Sequence, residues 1–264
     1  KDAGIEVVTE VLKEECDALN PVFFHYIEKK EPYVVLKYAM TADGKIATRT
    51  GASKWITGEA ARKRVQYSRK IYSGIMVGIG TVLADDPMLT CRLENAKNPV
   101  RIICDSSLRI PLDSQIVRSA KEYRTIVAYA GREENEEITE KIERLHAKGV
   151  DTVCCPDEKG QIDLKKLMTY LGNEGIDSIL LEGGGTLNWS ALESGIVQQV
   201  QAYIAPKLFG GKDAKAPIEG AGVPLPDAAF RLKNSRLEQL GKDFLIESEV
   251  EYPCLPESWK KSEQ

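Results

Sequence analysis

Between Tyr33 and Ala205 short β-rich runs alternate with helical stretches, and this alternation constrains the fold more than any other feature of the chain. Strands read at residues 33–38, 74–80, 99–105, 124–129, 150–155, 178–182 and 198–205. Helices read at 59–70 behind Thr57 as N-cap, at 133–148 closed by Gly149, at 164–172, and at 186–194 ended by Gly195. Residues 244–250 predict a closing antiparallel strand. Strands and helices at this interval predict an α/β class, a three-layer fold with a mainly parallel mixed sheet.

The flanks read differently. Residues 1–31 are charged and helix-prone, with Val11, Leu12, Cys16 and Leu19 at helical spacing behind Thr9 as a cap. Asn20-Pro21 breaks that helix, and Phe23, Phe24 and Tyr26 form an aromatic knot, so 1–31 is expected to be an interdomain connector. Residues 32–250 then form the main domain and 251–264 a C-terminal tail.

Composition narrows the function. With 36 basic against 40 acidic residues and a net charge of −4, the chain lacks the basic excess of a dedicated nucleic-acid binder. A hydrophobic content of 42% rules out disorder throughout. No apolar run approaches the roughly 18 residues of a membrane-spanning helix. The cysteines, Cys16, Cys91, Cys104, Cys154, Cys155 and Cys254, include no C-x-x-C pair, and the histidines are His25 and His146 alone. Reduced thiols, a cytoplasmic location and no metal are expected.

Three strand ends carry the residues suited to chemistry. Leu180-Leu181-Glu182-Gly183-Gly184-Gly185-Thr186-Leu187 runs a strand into three glycines and a helix that Thr186 can cap. Glycines admit a phosphate to the backbone, and a helix N-terminus offers free N–H groups. A tight turn that binds nothing reads equally well, because the segment is neither a G-x-G-x-x-G fingerprint nor a P-loop. Glu182 falls where ligands collect in open α/β sheets. Gly78-Ile79-Gly80-Thr81 leads to Asp85-Asp86-Pro87, then to Leu89 and Arg92. A carboxylate there can move a proton and an arginine can clamp a phosphate, against the plainer reading of an Asp-Pro turn and a solvated arginine. In the third segment Lys37 lies inside a strand, where a lysine needs a charge partner. Asp43-Gly44 signals a turn, and Trp55 is either a wall for a flat ligand or a core plug.

In this order, residues 37–47, 53–57, 77–92, 182–187 and 205–210 (Ala-Pro-Lys-Leu-Phe-Gly) resemble the reductase half of the bifunctional riboflavin-biosynthesis deaminase/reductase of the RibD type. The resemblance spans 32–250. It implies a dihydrofolate-reductase-like fold that binds NADPH and reduces 5-amino-6-(5-phosphoribosylamino)uracil to the ribitylamino compound. Cofactor contacts are implied for Ala39, Trp55, Thr81, Asp85, Ser106, Gly184, Gly185, Thr186 and Leu187. Substrate contacts are implied for Ser53, Arg69, Leu89, Arg92 and Glu182, and Lys37 matches a lysine near the reacting groups. The His-x-Glu and Pro-Cys-x-x-Cys signature of the deaminase half does not occur in this sequence. Residues 3–20 resemble the connector that follows that half, so a deaminase domain is expected upstream.

From these residues Asp85, Lys37 and Glu182 are expected around the transferred hydride, with Asp85 handling the proton. Arg69 and Arg92 are expected on the substrate's 5′-phosphate. Asp105 alone would favour NADH; Ser106, Ser107 and Arg109 favour a 2′-phosphate, so NADPH is the expectation. The aromatic connector and the strand at 198–205 need cover, which predicts a homodimer or higher homo-oligomer. Two alternatives stand beside this: a dihydrofolate-reductase-like reductase of another pterin- or pyrimidine-like substrate, and a non-catalytic nucleotide-binding module.

Overall fold

The computed structural model describes residues 2–131 and 136–253. The start of the helix expected at 133, most of the expected tail and Cys254 lie outside them. The described strands are β1 (Tyr33–Thr41), β2 (Gly74–Gly78), β3 (Val100–Cys104), β4 (Thr125–Tyr129), β5 (Asp151–Cys154), β6 (Ser178–Leu181), β7 (Val197–Ala205), β8 (Arg231–Leu240) and β9 (Asp243–Glu251). They form one sheet in the order β5-β4-β3-β2-β6-β1-β7-β9-β8. Only the pairs β7–β9 and β8–β9 are antiparallel.

The central strands are runs of Val, Ile, Leu and Met because helices cover both faces. On one face α7 (Leu164–Asn173) and α8 (Gly185–Glu193) set Leu167, Leu171, Ala191 and Leu192 against Val34, Met76, Ile102 and Ile126. On the other, α4 (Ile79–Asp85), α5 (Gln115–Arg118) and α6 (Glu136–Ala147) bring Val82, Ile116 and Leu145 onto Ile75, Val77, Ile103 and Val127. There α3 (Glu59–Ile71) seats Ala61 and Val65 on Tyr203 and Leu245. Each such side chain contributes roughly 1.5–3 kcal/mol on burial. The expected three layers and mainly parallel sheet are what is observed.

Several local expectations are corrected. The expected break at Asn20-Pro21 is present, but a second helix follows it: α1 (Lys13–Leu19) stops there, and Pro21 opens α2 (Pro21–Lys29), a position where its missing N–H costs nothing. Thr9 lies outside α1, whose N-cap is Leu12. The strand expected to run through Gly80 ends at Gly78, and Ile79 starts α4. Gly58 rather than Thr57 is the N-cap of α3, its N–H donating to Asp243 Oδ2 at 2.6 Å. Gly184 rather than Thr186 is the N-cap of α8. The α2 segment is bound into the fold. The Tyr26 hydroxyl donates to Gly172 O at 2.9 Å, and a Cβ on Gly172 would stand 1.9 Å from Lys30 O.

Candidate active site

The C-terminal ends of β1, β2, β3 and β6 open on one side of the sheet. Between them lies a cleft of about 480 Å³. Its walls include Ser53, Thr81, Asp85, Ser106 and the backbone of Gly184, Gly185, Thr186 and Leu187, which are seven of the expected cofactor residues and one expected substrate residue. The cleft is narrow because Gly78 and Leu187 face each other: a Cβ on Gly78 would lie 3.7 Å from Leu187. Gly184 caps α8 without a side-chain hydrogen bond, so the first-turn N–H groups are left as donors at its rim. Gly185 has no room for a side chain, since a Cβ would come within 2.5 Å of Glu219.

Beside the cleft three charged side chains meet. Parallel pairing sets Leu36 beside Leu181, so the next residues, Lys37 and Glu182, emerge side by side. Arg69, from the last turn of α3, reaches Glu182 through Nε–Oε1 at 2.7 Å and Nη2–Oε2 at 3.1 Å, and Lys37 Nζ stands 3.5 Å from Oε2. Burial would push the Glu182 carboxyl up, but the charges of Arg69 and Lys37 and their hydrogen bonds outweigh it and hold the pKa at about 2. The strand lysine thus has the partner its position requires. Lys37 Nζ also lies 5.8 Å from the centre of the Tyr203 ring.

The other expected residues fall into place around this trio. Asp85 pairs with Lys54, at 3.6 Å, across the cleft mouth. Arg69 spends two donors on Glu182, and its Nη1 donates to Thr90 O at 3.1 Å. Arg92 is exposed, with its backbone N–H held by Gln66 Oε1 at 2.8 Å. Leu89 is 3% exposed and packs into the core with φ at +53°, so its side chain is not available to a ligand. Buried Arg101 fixes this loop by donating to Met88 O at 3.2 Å. Ala39 sits on β1 beside Tyr203. Trp55 is 58% exposed, with the Arg62 guanidinium 4.8 Å from its ring centre, so it is no core plug. Asp105 is fully buried and accepts the Ile110 N–H at 2.8 Å. Its other oxygen, Oδ1, stands 3.7 Å from Arg109 Nε, and Arg109 and Ser106 line that end of the cleft.

Sequence reasoning missed Lys54, Gln161, Lys215 and Glu219. Lys54 was adjacent to a quoted motif; the other three carry no local signal. Among the described residues no three His, Cys, Asp or Glu side chains gather as a metal site requires, and no helix is long and apolar enough to cross a membrane.

A profile of the RibD C-terminal domain matches residues 32–246. The chain belongs to that family. It is 57% identical to the riboflavin biosynthesis protein RibD of Actinobacillus pleuropneumoniae over 96% of this chain and 66% of that protein. It is 39% identical to the 2,5-diamino-6-ribosylamino-4(3H)-pyrimidinone 5′-phosphate reductase of Methanothermobacter thermautotrophicus, over 83% of this chain and 98% of the relative. A solved structure from Thermotoga maritima, a diaminohydroxyphosphoribosylaminopyrimidine deaminase/5-amino-6-(5-phosphoribosylamino)uracil reductase, superposes with a TM-score of 0.74 at 33% identity, over 94% of this chain and 65% of that one. The chain thus spans about two thirds of the length of its RibD relatives. The three-layer α/β class with a mainly parallel mixed sheet expected from the sequence is the one observed, and it is shared with that Thermotoga structure.

Proposed function

We propose that this chain is an NADPH-dependent reductase that converts 5-amino-6-(5-phosphoribosylamino)uracil to 5-amino-6-(5-phosphoribitylamino)uracil in riboflavin biosynthesis. One observation carries the reading: a largely buried carboxylate, held ionised by two cations, stands at the strand ends beside a cleft shaped for a dinucleotide. The names of the archaeal and Thermotoga relatives support it.

The cleft fits the cofactor. A Cβ on Gly80 or Gly184 would meet nothing within 4 Å, so a phosphate can reach the backbone there. The uncapped N-terminus of α8 offers N–H donors to the pyrophosphate, and Ser106 and Arg109 suit a 2′-phosphate. Bound NADPH supplies the hydride.

The chain's own residues do the rest. The reaction opens the ribose ring to an imine and reduces it at the anomeric carbon, consuming one proton. Glu182 at a pKa of about 2 has no proton to give; it holds the Lys37 ammonium at the reacting end. Lys37 therefore takes the proton-donating role that the sequence placed on Asp85. Arg69 keeps Glu182 ionised and oriented, while the carboxylate also receives a ribose hydroxyl or the uracil edge. Arg92 takes the 5′-phosphate, and Ser53 closes on the substrate from the facing loop. Asp85 and Thr81 hold the cofactor. The same reading places the chain in a cytoplasmic homodimer or higher homo-oligomer, behind a deaminase domain in the part of its relatives that it does not span.

Steady-state oxidation of NADPH with the phosphoribosylaminouracil tests this. Turnover with that substrate and none with dihydrofolate is expected; no turnover with the aminouracil would end the proposal.

A further inference from the structure

The segment 205–210 belongs to the ordered motifs of the sequence, yet nothing above gives it work. Its position explains it. β1 and β7 are parallel neighbours, with Thr41 paired to Ala205, so the chain leaves both strands at the same rim. The two exits are stitched together. Ala42 N–H donates to Lys207 O at 2.9 Å, and Ile46 N–H to Lys215 O at 2.9 Å. The Asp43 carboxylate accepts the N–H groups of Phe209 and Gly210 at 3.1 and 2.6 Å. A hydrogen bond from Thr41, with those from the two amides, holds its pKa at about 2, so the stitch keeps its charge at neutral pH.

One residue reaches further. Lys207 Nζ donates to Trp55 O at 3.1 Å and to Ile56 O at 2.7 Å. These carbonyls belong to the strap at 48–57, which crosses the cleft mouth and carries Ser53, Lys54 and Trp55. The first half of the strap is held by its own turn, with Thr48 N–H donating to Ala52 O at 3.0 Å and Gly51 N–H to Thr48 O at 2.9 Å, whereas 53–57 has no regular secondary structure beyond turns. The Trp55 ring is largely exposed, with the Arg62 guanidinium as its cationic neighbour, and Arg62 Nη1 is itself tied to Thr57 O at 2.8 Å. A lysine whose ammonium bridges the Trp55 and Ile56 carbonyls fixes the peptide plane that leaves Trp55, one of the two backbone planes that aim the indole.

We propose that Lys207 is a positioning residue that sets the Trp55 strap, with Arg62 stacked on the indole, so that the ring is presented to the cofactor before the cofactor arrives. A pre-set ring spares the ordering cost of the strap on binding, so Lys207 acts on dinucleotide affinity and not on the reducing step. The inference rests on the reading that Trp55 meets the cofactor, and its test separates the two.

Four variants are compared: Lys207→Met, Lys207→Arg, Trp55→Phe and Trp55→Ala. Amide hydrogen exchange across 48–57 is measured without ligand, NADPH affinity by direct titration, and Trp55 emission by difference from Trp55→Phe. Lys207→Met is expected to raise exchange in the strap by about tenfold or more, the scale of losing one charge-assisted bond. It should also shift the Trp55 emission and weaken NADPH binding by a similar factor, while kcat at saturation stays near wild type. Lys207→Arg, which keeps the cation and its donors, should restore most of each change. Unchanged strap exchange in Lys207→Met overturns the proposal, whatever Trp55 does. So does a loosened strap whose NADPH affinity is unchanged while Trp55→Ala weakens it. If Trp55→Ala itself leaves NADPH affinity untouched, the reading of Trp55 as a cofactor residue fails, and this proposal with it.

Discussion

Arg69 and Glu182 meet fork to fork, with two hydrogen bonds of 2.7 and 3.1 Å between guanidinium and carboxylate. The pair sets two limits at once. Glu182 is held ionised, and the Arg69 guanidinium spends two of its donors on Glu182 and a third on Thr90 O. Arg92, whose side chain is exposed, is the freer of the two cations proposed for the substrate's phosphate.

That division separates the two arginines experimentally. Arg69→Met strands a largely buried carboxylate and should destabilise the fold by roughly 3–5 kcal/mol in urea unfolding. Arg92→Ala should change stability by less than about 0.5 kcal/mol. It should also raise KM at least about tenfold for the phosphorylated substrate and little for its dephosphorylated analogue. Equal KM effects on both substrates would remove Arg92 from the phosphate site.

Stability should follow Glu182 at low pH. Its folded pKa lies below its ordinary value of 4.5, at about 2, so the unfolded chain takes up the proton first. The stabilisation is complete above about pH 4.5 and is lost as pH falls toward 2, on the order of 3 kcal/mol for this group. Urea unfolding from pH 6 to pH 2 should show this loss in wild type and a flatter profile in Glu182→Gln. Parallel profiles would mean that Glu182 is not held ionised.

Asp85→Asn distinguishes cofactor placement from proton handling. Asp85 lines the cleft and its bond to Lys54 is partly exposed, a contact worth at most about 1 kcal/mol to folding. The KM for NADPH should rise about three- to tenfold with kcat within about threefold of wild type. A fall in kcat of roughly 10²-fold with cofactor affinity intact would return the proton role to Asp85.

Cofactor choice should depend on Arg109. Asp105 is buried, accepts the Ile110 N–H and pairs with Arg109 at 3.7 Å, and Arg109 lines the cleft there. Arg109→Ala should reduce the preference for NADPH over NADH by about tenfold or more, read from dissociation constants. An unchanged ratio would place the 2′-phosphate elsewhere.

The layers of the fold were legible because hydrophobic runs must be covered on both faces, and Val34–Leu36 or Ile75–Val77 have no other stable setting. β8 was not legible. Its sequence Arg-Leu-Lys-Asn-Ser-Arg-Leu-Glu-Gln-Leu carries charge along an exposed edge strand, as an edge that discourages pairing should. Gly80 and Thr186 were read one element out of place, because glycine and threonine next to a helix start fit the cap and the first turn alike. At the site, Lys37 betrayed itself as a charge inside a strand. The commitment of Arg69 to Glu182 could not be read, since a helix and a strand end more than a hundred residues apart meet only once the sheet is ordered. Leu89 hid for the opposite reason: a leucine with positive φ lends its backbone to the loop and its side chain to the core.

The contact at Gly172 changes where this protein should be cut. The RibD C-terminal domain match begins at residue 32, but the helix before it lies in a notch that exists only because Gly172 has no side chain. A version trimmed at residue 32 would keep every catalytic group and leave that notch open to water, with Val22 and His25 gone from beside Tyr33. The seam of the folding unit therefore runs ahead of Pro21. A fusion partner spliced there leaves the unit whole; one spliced at residue 32 takes away one of its walls.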